Sequence, residues 1–261
     1  IDLFAQDGSG LISGDQILIA SAAIEDSVPD VAKANALGCT RMTRAELLAD
    51  LFNAAPRSVA VGGTSGKSTV TGMIGWILTD AGCDPTIMNG AVMKNFVADD
   101  APFASARVGQ GEVFVSEVDE SDGSIALFTP EVAVLNNVSL DHKSLEELRQ
   151  LFGDFARKAK TCVWNADDAE TAALIAPMAL PGAISFGFCA DAHFRATDIN
   201  DLPLGSRFTL HAMGDAYPVA LIVPGRHNIA NALAAIAASV ALGVSVAQAV
   251  RSVERFNGLA R

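Results

Sequence analysis

A nine-residue run constrains this chain more than any other feature: Val61-Gly62-Gly63-Thr64-Ser65-Gly66-Lys67-Ser68-Thr69. A short apolar stretch, Ser58 to Val61, leads into it. A helix-compatible stretch from Lys67 to about Ala81 leaves it and is stopped by Gly82. A strand that delivers a Gly-rich turn into a helix N-terminus turns backbone N–H groups and the positive end of the helix dipole outward, which is how a fold holds phosphate. In that setting the Lys67 ammonium reaches the β- and γ-phosphates and the Ser68 hydroxyl ligates Mg²⁺. Gly63, Thr64, Ser65, Gly66, Lys67, Ser68 and Thr69 are therefore the candidate nucleotide loop. The full phosphate-loop pattern asks for Gly where this chain has Val61, so an ordinary Gly-rich strand-to-helix turn is the competing reading.

The pattern around the loop predicts an α/β chain. Glu112 to Val118, Val132 to Leu135 and Thr161 to Trp164 are apolar runs of strand length. Helices are expected from Ser144 to Ala159 and from Asp168 to Ile175. Strands alternating with helices imply a mostly parallel sheet flanked by helices. From Ala183 to Val223 the pattern changes to short strands and turns, and Phe208 to Ala212 and Tyr217 to Val223 are expected to pair as a small antiparallel edge. Two helices close the chain, Asn228 to Leu242 and Val246 to Phe256. Upstream, Ile17 to Ala20 reads as a strand, Pro29 opens a helix ended by Gly38, and Thr43-x-x-Glu46 has the capping-box pattern. Ala54 to Arg57, with Pro56, reads as a linker. Residues 1–54 and 55–261 are thus expected to be separate domains, the first too small to close its own sheet and read as the tail of a larger one.

Three further motifs stand out, the first two beyond strand ends, where open α/β sheets bind ligands. Glu117-Val118-Asp119-Glu120-Ser121-Asp122 offers a carboxylate for Mg²⁺, although an acidic run is also what a solvated turn looks like. Asn136-Asn137-Val138-Ser139-Leu140-Asp141-His142-Lys143 brings His142 to the same edge. Pro224-Gly225-Arg226-His227-Asn228 opens a helix on which Asn228 and Asn231 share a face. Their amides suit an adenine edge or a ribose, and Arg226 a phosphate; a helix cap with a packed polar pair fits the same spacing equally well.

Composition narrows the function. Eighteen Lys and Arg against 30 Asp and Glu leave a net charge of −12, and aromatics are only 6%. That balance disfavours nucleic acid and anionic membranes as partners, so an anionic ligand must be held by local features. Four cysteines without a C-x-x-C spacing suggest neither a zinc finger nor a disulfide scaffold, and the cytoplasm is the expected compartment. Ile229 to Ala249 is uncharged but rich in Ala and interrupted by Gly243, which predicts two buried helices and no membrane span.

The order G-T-x-G-K-[ST]-[ST], E-x-D-E-S-D, N-x-x-x-D-H, N-x-D-D and G-[RK]-H-N-x-x-N resembles the Mur ligase family, ATP-dependent amide-forming ligases of peptidoglycan precursor synthesis. Ser21-Ala22-Ala23-Ile24, Arg44 to Ala49 and Ile87-Met88-Asn89-Gly90 are similar to the branch that acts on UDP-N-acetylmuramate, adding L-alanine or, in recycling, a murein tripeptide. The resemblance implies ATP and Mg²⁺ as cofactors, with Lys67 on the γ-phosphate and Ser68, Glu117 and His142 on the metals. It implies that Lys67, Glu117 and His142 form the catalytic set and that His227, Asn228 and Asn231 lie at the base and ribose. The family's three-domain plan implies a partial Rossmann-like N-terminal domain over 1–54, a central phosphate-loop domain over 55–261 and no C-terminal domain, with Asn257 to Arg261 as the hinge toward it. Alone, such a chain is expected to be inactive. A nucleotide-binding regulatory relative without ligase activity is the alternative of another class.

Overall fold

The computed structural model describes residues 1–139 and 144–260. They divide into two compact units, Ile1–Ala54 and Ala55–Arg261. In the first, β1 (Ile17–Ala20) runs parallel to β2 (Thr40–Thr43), with α1 (Pro29–Leu37) between them in sequence and α2 (Arg44–Asn53) after. Pro29 sits in the first turn of α1, where its missing N–H costs nothing, and Gly38 closes the helix at φ 74°. The capping box of α2 is complete: Thr43 Oγ1 accepts the Glu46 N–H at 3.1 Å and the Glu46 carboxylate accepts the Thr43 N–H at 2.6 Å. Val31, Ala34, Ala49 and Phe52 are the buried apolar side chains of this unit's helices.

The second unit is built on one ten-stranded sheet. Its strands are β3 (Arg57–Gly62), β4 (Thr86–Met88), β6 (Ala106–Arg107), β7 (Val113–Glu117), β8 (Val132–Leu135), β9 (Thr161–Asn165), β10 (Ile184–Gly187), β11 (Phe194–Leu202), β12 (Gly205–Ala212) and β13 (Asp215–Leu221). Two short strands outside it, β5 (Val92–Met93) and β14 (Leu259–Ala260), pair antiparallel with each other. The spatial order is β13-β12-β11-β10-β9-β8-β3-β7-β4-β6. From β11 to β4 every neighbour is parallel. The expected antiparallel edge is present, with Phe208 opposite Val219. A second one, β6 against β4, closes the other end.

Helices α3 (Lys67–Asp80), α4 (Leu145–Lys158), α5 (Ala169–Ile175), α6 (Arg226–Ala241) and α7 (Val246–Val253) cover the sheet. α3, α6 and α7 pack on one another, and α6 lies along β8 to β11. The main core draws on both: Val59, Val61, Val115 and Val134 from the strands, Ile74, Ile77, Leu233 and Ile236 from the helices. The uncharged stretch from Ile229 is two helices, α6 and α7, parted at Gly243 (φ 97°). No helix among the described residues is long and apolar enough to cross a membrane. The four cysteines are free thiols, and burial in β9 pushes Cys162 up to about 12.

One local expectation is corrected. Arg57, read as the end of a linker, is the first residue of β3: its N–H donates to Glu112 O, and its guanidinium pairs with Glu131 at 2.9 Å, which raises its pKa. From Ala183 on, β10 and the start of β11 extend the parallel sheet before the chain turns back into the antiparallel edge.

Candidate functional site

The site begins with the position of β3. Its two neighbours, β7 and β8, follow it in sequence and lie on opposite sides of it, so the chain departing from β3 enters a crevice between two strand ends. Register sets what those ends present. Val61 is level with Glu117 at the end of β7, and Gly62 is level with Leu135, one residue before Asn136. The Gly63–Gly66 loop therefore has a carboxylate on one flank and two asparagine amides on the other.

The loop is bent by glycines that the geometry requires. Gly63 has φ 127° and Gly66 φ 81°. Gly66 is also the N-cap of α3, and no side chain caps this helix. The first-turn N–H groups have no intrahelical acceptor and the dipole's positive end faces the loop, so an anion is the partner this terminus suits. A Cβ on Gly66 would overlap Asn136 Nδ2 and lie 2.8 Å from Asn231 Oδ1.

Lys67 Nζ donates to Gly63 O at 2.7 Å and to Glu120 Oε2 at 2.8 Å. The Glu120 side chain is only 4% exposed. Two of the ammonium's three donors are thereby directed, and the head is held over the loop. Ser68 Oγ donates to Glu117 Oε2 at 2.7 Å. The other oxygen, Oε1, packs where a side chain at Gly90 would stand. A hydroxyl and a carboxylate oxygen in contact are hard donors of the kind Mg²⁺ takes, with phosphates and water completing its shell. The donor set and the uncapped Gly66 terminus fit a magnesium–triphosphate group.

On the other flank, Asn137 binds the outer limb of the loop. Its Oδ1 accepts from Thr64 Oγ1 and from the Ser65 N–H, both at 2.8 Å, and its backbone carbonyl accepts the Thr64 N–H at 3.2 Å. The N–H groups of Thr64 and Ser65 are thus directed at protein; those of the Gly66–Thr69 end are the ones a phosphate can use. Asn136 Nδ2 donates to Ser65 O at 3.0 Å and to Asn231 Oδ1 at 3.2 Å. Asn165 Nδ2 donates to Asn136 O, and Asp168, the cap of α5, accepts the Val138 N–H. A cavity of about 980 Å³ opens between Ser65–Gly66, Asn136, Asn165 and the His227–Asn231 turn.

The loop residues, Ser68, Glu117, His227, Asn228 and Asn231 thus lie along one edge of the sheet or its adjoining cavity. His142 lies outside the described residues. Arg226, considered as a phosphate partner, stacks over the Phe188 ring at 5.0 Å. Sequence reasoning passed over Glu120, Asn136 and Asn137 as individual residues, although each stands in a quoted motif. Two amides directly after an apolar strand, and a second glutamate three residues after Glu117, were the available signals.

Residues 61–239, more than half of the chain, match the family model for the Mur ligase middle domain. The chain belongs to the Mur ligase family. The match starts in β3 and ends in α6, so this Mur ligase segment contains the loop, Glu117, Asn136 and Asn231. A UDP-N-acetylmuramate–L-alanine ligase of Persephonella marina is 34% identical over 257 residues, covering 96% of this chain and 54% of that protein. The chain spans about half the length of the curated relatives it matches. The UDP-N-acetylmuramate–alanine ligase of Thermotoga maritima superposes with a TM-score of 0.80 at 27% identity, over 94% of this chain and 55% of that one. The UDP-N-acetylmuramate:L-alanyl-γ-D-glutamyl-meso-diaminopimelate ligase of Neisseria meningitides shares the fold, with a TM-score of 0.80 at 23% identity, over 94% and 80% of the two chains.

Proposed function

We propose that this chain is the nucleotide-binding part of an ATP-dependent ligase that joins the carboxylate of UDP-N-acetylmuramate to the amine of L-alanine, in the cytoplasm. The observation that carries the reading is the 2.7 Å contact between Ser68 at the loop and Glu117 at the neighbouring strand end. It supports a metal-assisted phosphoryl transfer at this edge of the sheet. The identity to an L-alanine ligase favours that amine over a murein peptide.

A carboxylate resists attack by an amine until one of its oxygens is made a leaving group. In the proposed reaction that oxygen takes the γ-phosphoryl group, the neutral amine then attacks the carbonyl carbon, and phosphate departs with that oxygen. Ser68 and Glu117 would hold Mg²⁺, joined by His142 through the family resemblance. Bound Mg²⁺ offsets the repulsion between triphosphate and acceptor carboxylate. Lys67, held by Gly63 O and Glu120, directs its remaining donor at phosphate. The Gly66–Thr69 N–H groups hold the phosphate chain, and His227 and Asn228 flank the nucleoside. Residues 1–54 would belong to the domain that binds the uridine nucleotide. A further domain, outside this chain, would bring the amine to within about 3–3.5 Å of the activated carbon, the spacing a near-attack geometry requires.

The test is phosphate release from ATP by the full-length protein. Release is expected with UDP-N-acetylmuramate plus L-alanine. Release with a murein tripeptide alone would move the reading to the recycling reaction. Nucleotide binding without release under either condition would leave a regulatory relative in its place.

A further inference from the structure

The N-x-D-D motif, Asn165-Ala166-Asp167-Asp168, has no task in the proposed reaction, yet each of its polar side chains is committed. It starts at the last residue of β9. The backbone ladder between β8 and β9 ends where Leu135 lies level with Trp164. Past that point, side chains tie the two strand ends together. Asn165 Nδ2 donates to Asn136 O at 3.0 Å, and its Oδ1 accepts the Asp167 N–H at 3.0 Å. One partner only accepts and the other only donates, so this amide has a single orientation. Asp168 Oδ1 accepts the Val138 N–H at 3.1 Å, and the same oxygen caps α5 by accepting the Thr171 N–H at 2.9 Å. Asp167 serves the opposite neighbour, accepting the N–H groups of Phe188 and Cys189 just past the end of β10. The segment that Asn165 and Asp168 hold is the one that holds the phosphate loop. Asn137 adds a bond from Nδ2 to Ser65 O at 3.1 Å to those given above. The Ser139 N–H donates to Thr64 Oγ1 at 3.2 Å, and the Ser139 hydroxyl lies 2.7 Å from the same oxygen. Val138, between them, is buried.

We infer that Asn165 and Asp168 are positioning residues for the phosphate loop, a clamp that fixes residues 136–139 as a spacer between the end of β9 and the Thr64–Ser65 limb. The inference rests on the nucleotide-binding reading above. Both residues act through the spacer: the motif holds Asn136 O and the Val138 N–H, while Asn137 and Ser139 hold the loop. Asp168 does two things with one oxygen, and they differ in reach. A serine at 168 keeps the first, because Ser caps a helix about as well as Asp does. It loses the second, because its oxygen stands one bond nearer the backbone than a carboxylate oxygen and falls short of Val138. Asparagine at 168 keeps an acceptor oxygen at the original reach and gives up only the charge.

The experiment compares full-length wild type, Asp168→Ser and Asp168→Asn for their affinity toward MgATP and toward magnesium tripolyphosphate, which has no base. Asp168→Ser is expected to keep its unfolding midpoint and to lose about tenfold for both ligands alike, the scale of one lost hydrogen bond to a charged group. Asp168→Asn is expected to bind as wild type does. Wild-type affinity in folded Asp168→Ser would overturn the clamp. So would an equal loss in both variants, which would make the charge and not the bond the cause. A second measurement needs no ligand. Amide hydrogen exchange at Val138, Thr64 and Ser65 is expected to quicken in Asp168→Ser, and also in Asn165→Ala, which removes the other anchor. Thr64 and Ser65 exchanging as in wild type would overturn the inference, since the clamp would then end at Val138. Wild type that binds neither ligand would remove the nucleotide-binding reading, and the exchange result would still decide whether the motif holds the loop.

Discussion

Lys67 has a partner that its motif does not announce. Glu120 is a buried carboxylate whose charge is matched by the Lys67 ammonium 2.8 Å away. Truncating Lys67 removes the loop's cation and also strands an anion in the protein, and the second effect acts on stability. Lys67→Ala is therefore expected to abolish phosphate release and to lower unfolding free energy by about 1–3 kcal/mol. Adding Glu120→Gln should recover most of that stability and none of the activity. Urea denaturation beside a phosphate-release assay separates the two effects. Stability unchanged in the single variant would show that the pair is not coupled in solution.

Helix termini show how far local sequence reaches. Ser144 accepts the Glu147 N–H at 3.3 Å, and the Glu147 carboxylate accepts the Ser144 N–H at 2.9 Å, so α4 opens on a capping box readable from the spacing alone. Ser144→Ala should destabilise the second unit by about 1 kcal/mol, measured as a shift of its denaturation midpoint. Gly66 is the opposite case. It opens α3 without a side-chain cap, at φ 81° and against Asn136 and Asn231. The glycine is visible in the sequence, but its two neighbours are 70 and 165 positions away along the chain. β4, three residues long, escapes any pattern reading because its alternation is too short to recognise.

At the scale of the whole molecule, the main apolar cluster belongs to one of the two units. No residue of the main apolar cluster precedes Val59; it runs from there to Phe256 within the second unit. Residues 55–261 produced alone are expected to unfold cooperatively. In the full chain Ile74→Ala should cost this unit about 2–5 kcal/mol, the range for emptying a packed site. Denaturation followed through Trp76 and Trp164, both of which belong to residues 55–261, reads that unit by itself.

The sequence by itself determined the α/β class, the strand–turn–helix at Val61–Thr69, most helices of the second unit and the acidic and Asn-rich strand ends. Those features are local: hydrophobic period, glycine conformation and caps act within a few residues. The same local logic brought Glu117 and the loop to one edge, since parallel strands joined by helices put their carboxyl ends together. Which residues meet at that edge was decided by sheet order. Placing β3 between β7 and β8 set Glu117 against Ser68, Glu120 against Lys67, and Asn136 between Ser65 and Asn231. Strand order is a choice among long-range pairings, settled by which arrangement buries α3 and α6 together against the sheet, and no window of neighbouring residues carries that information.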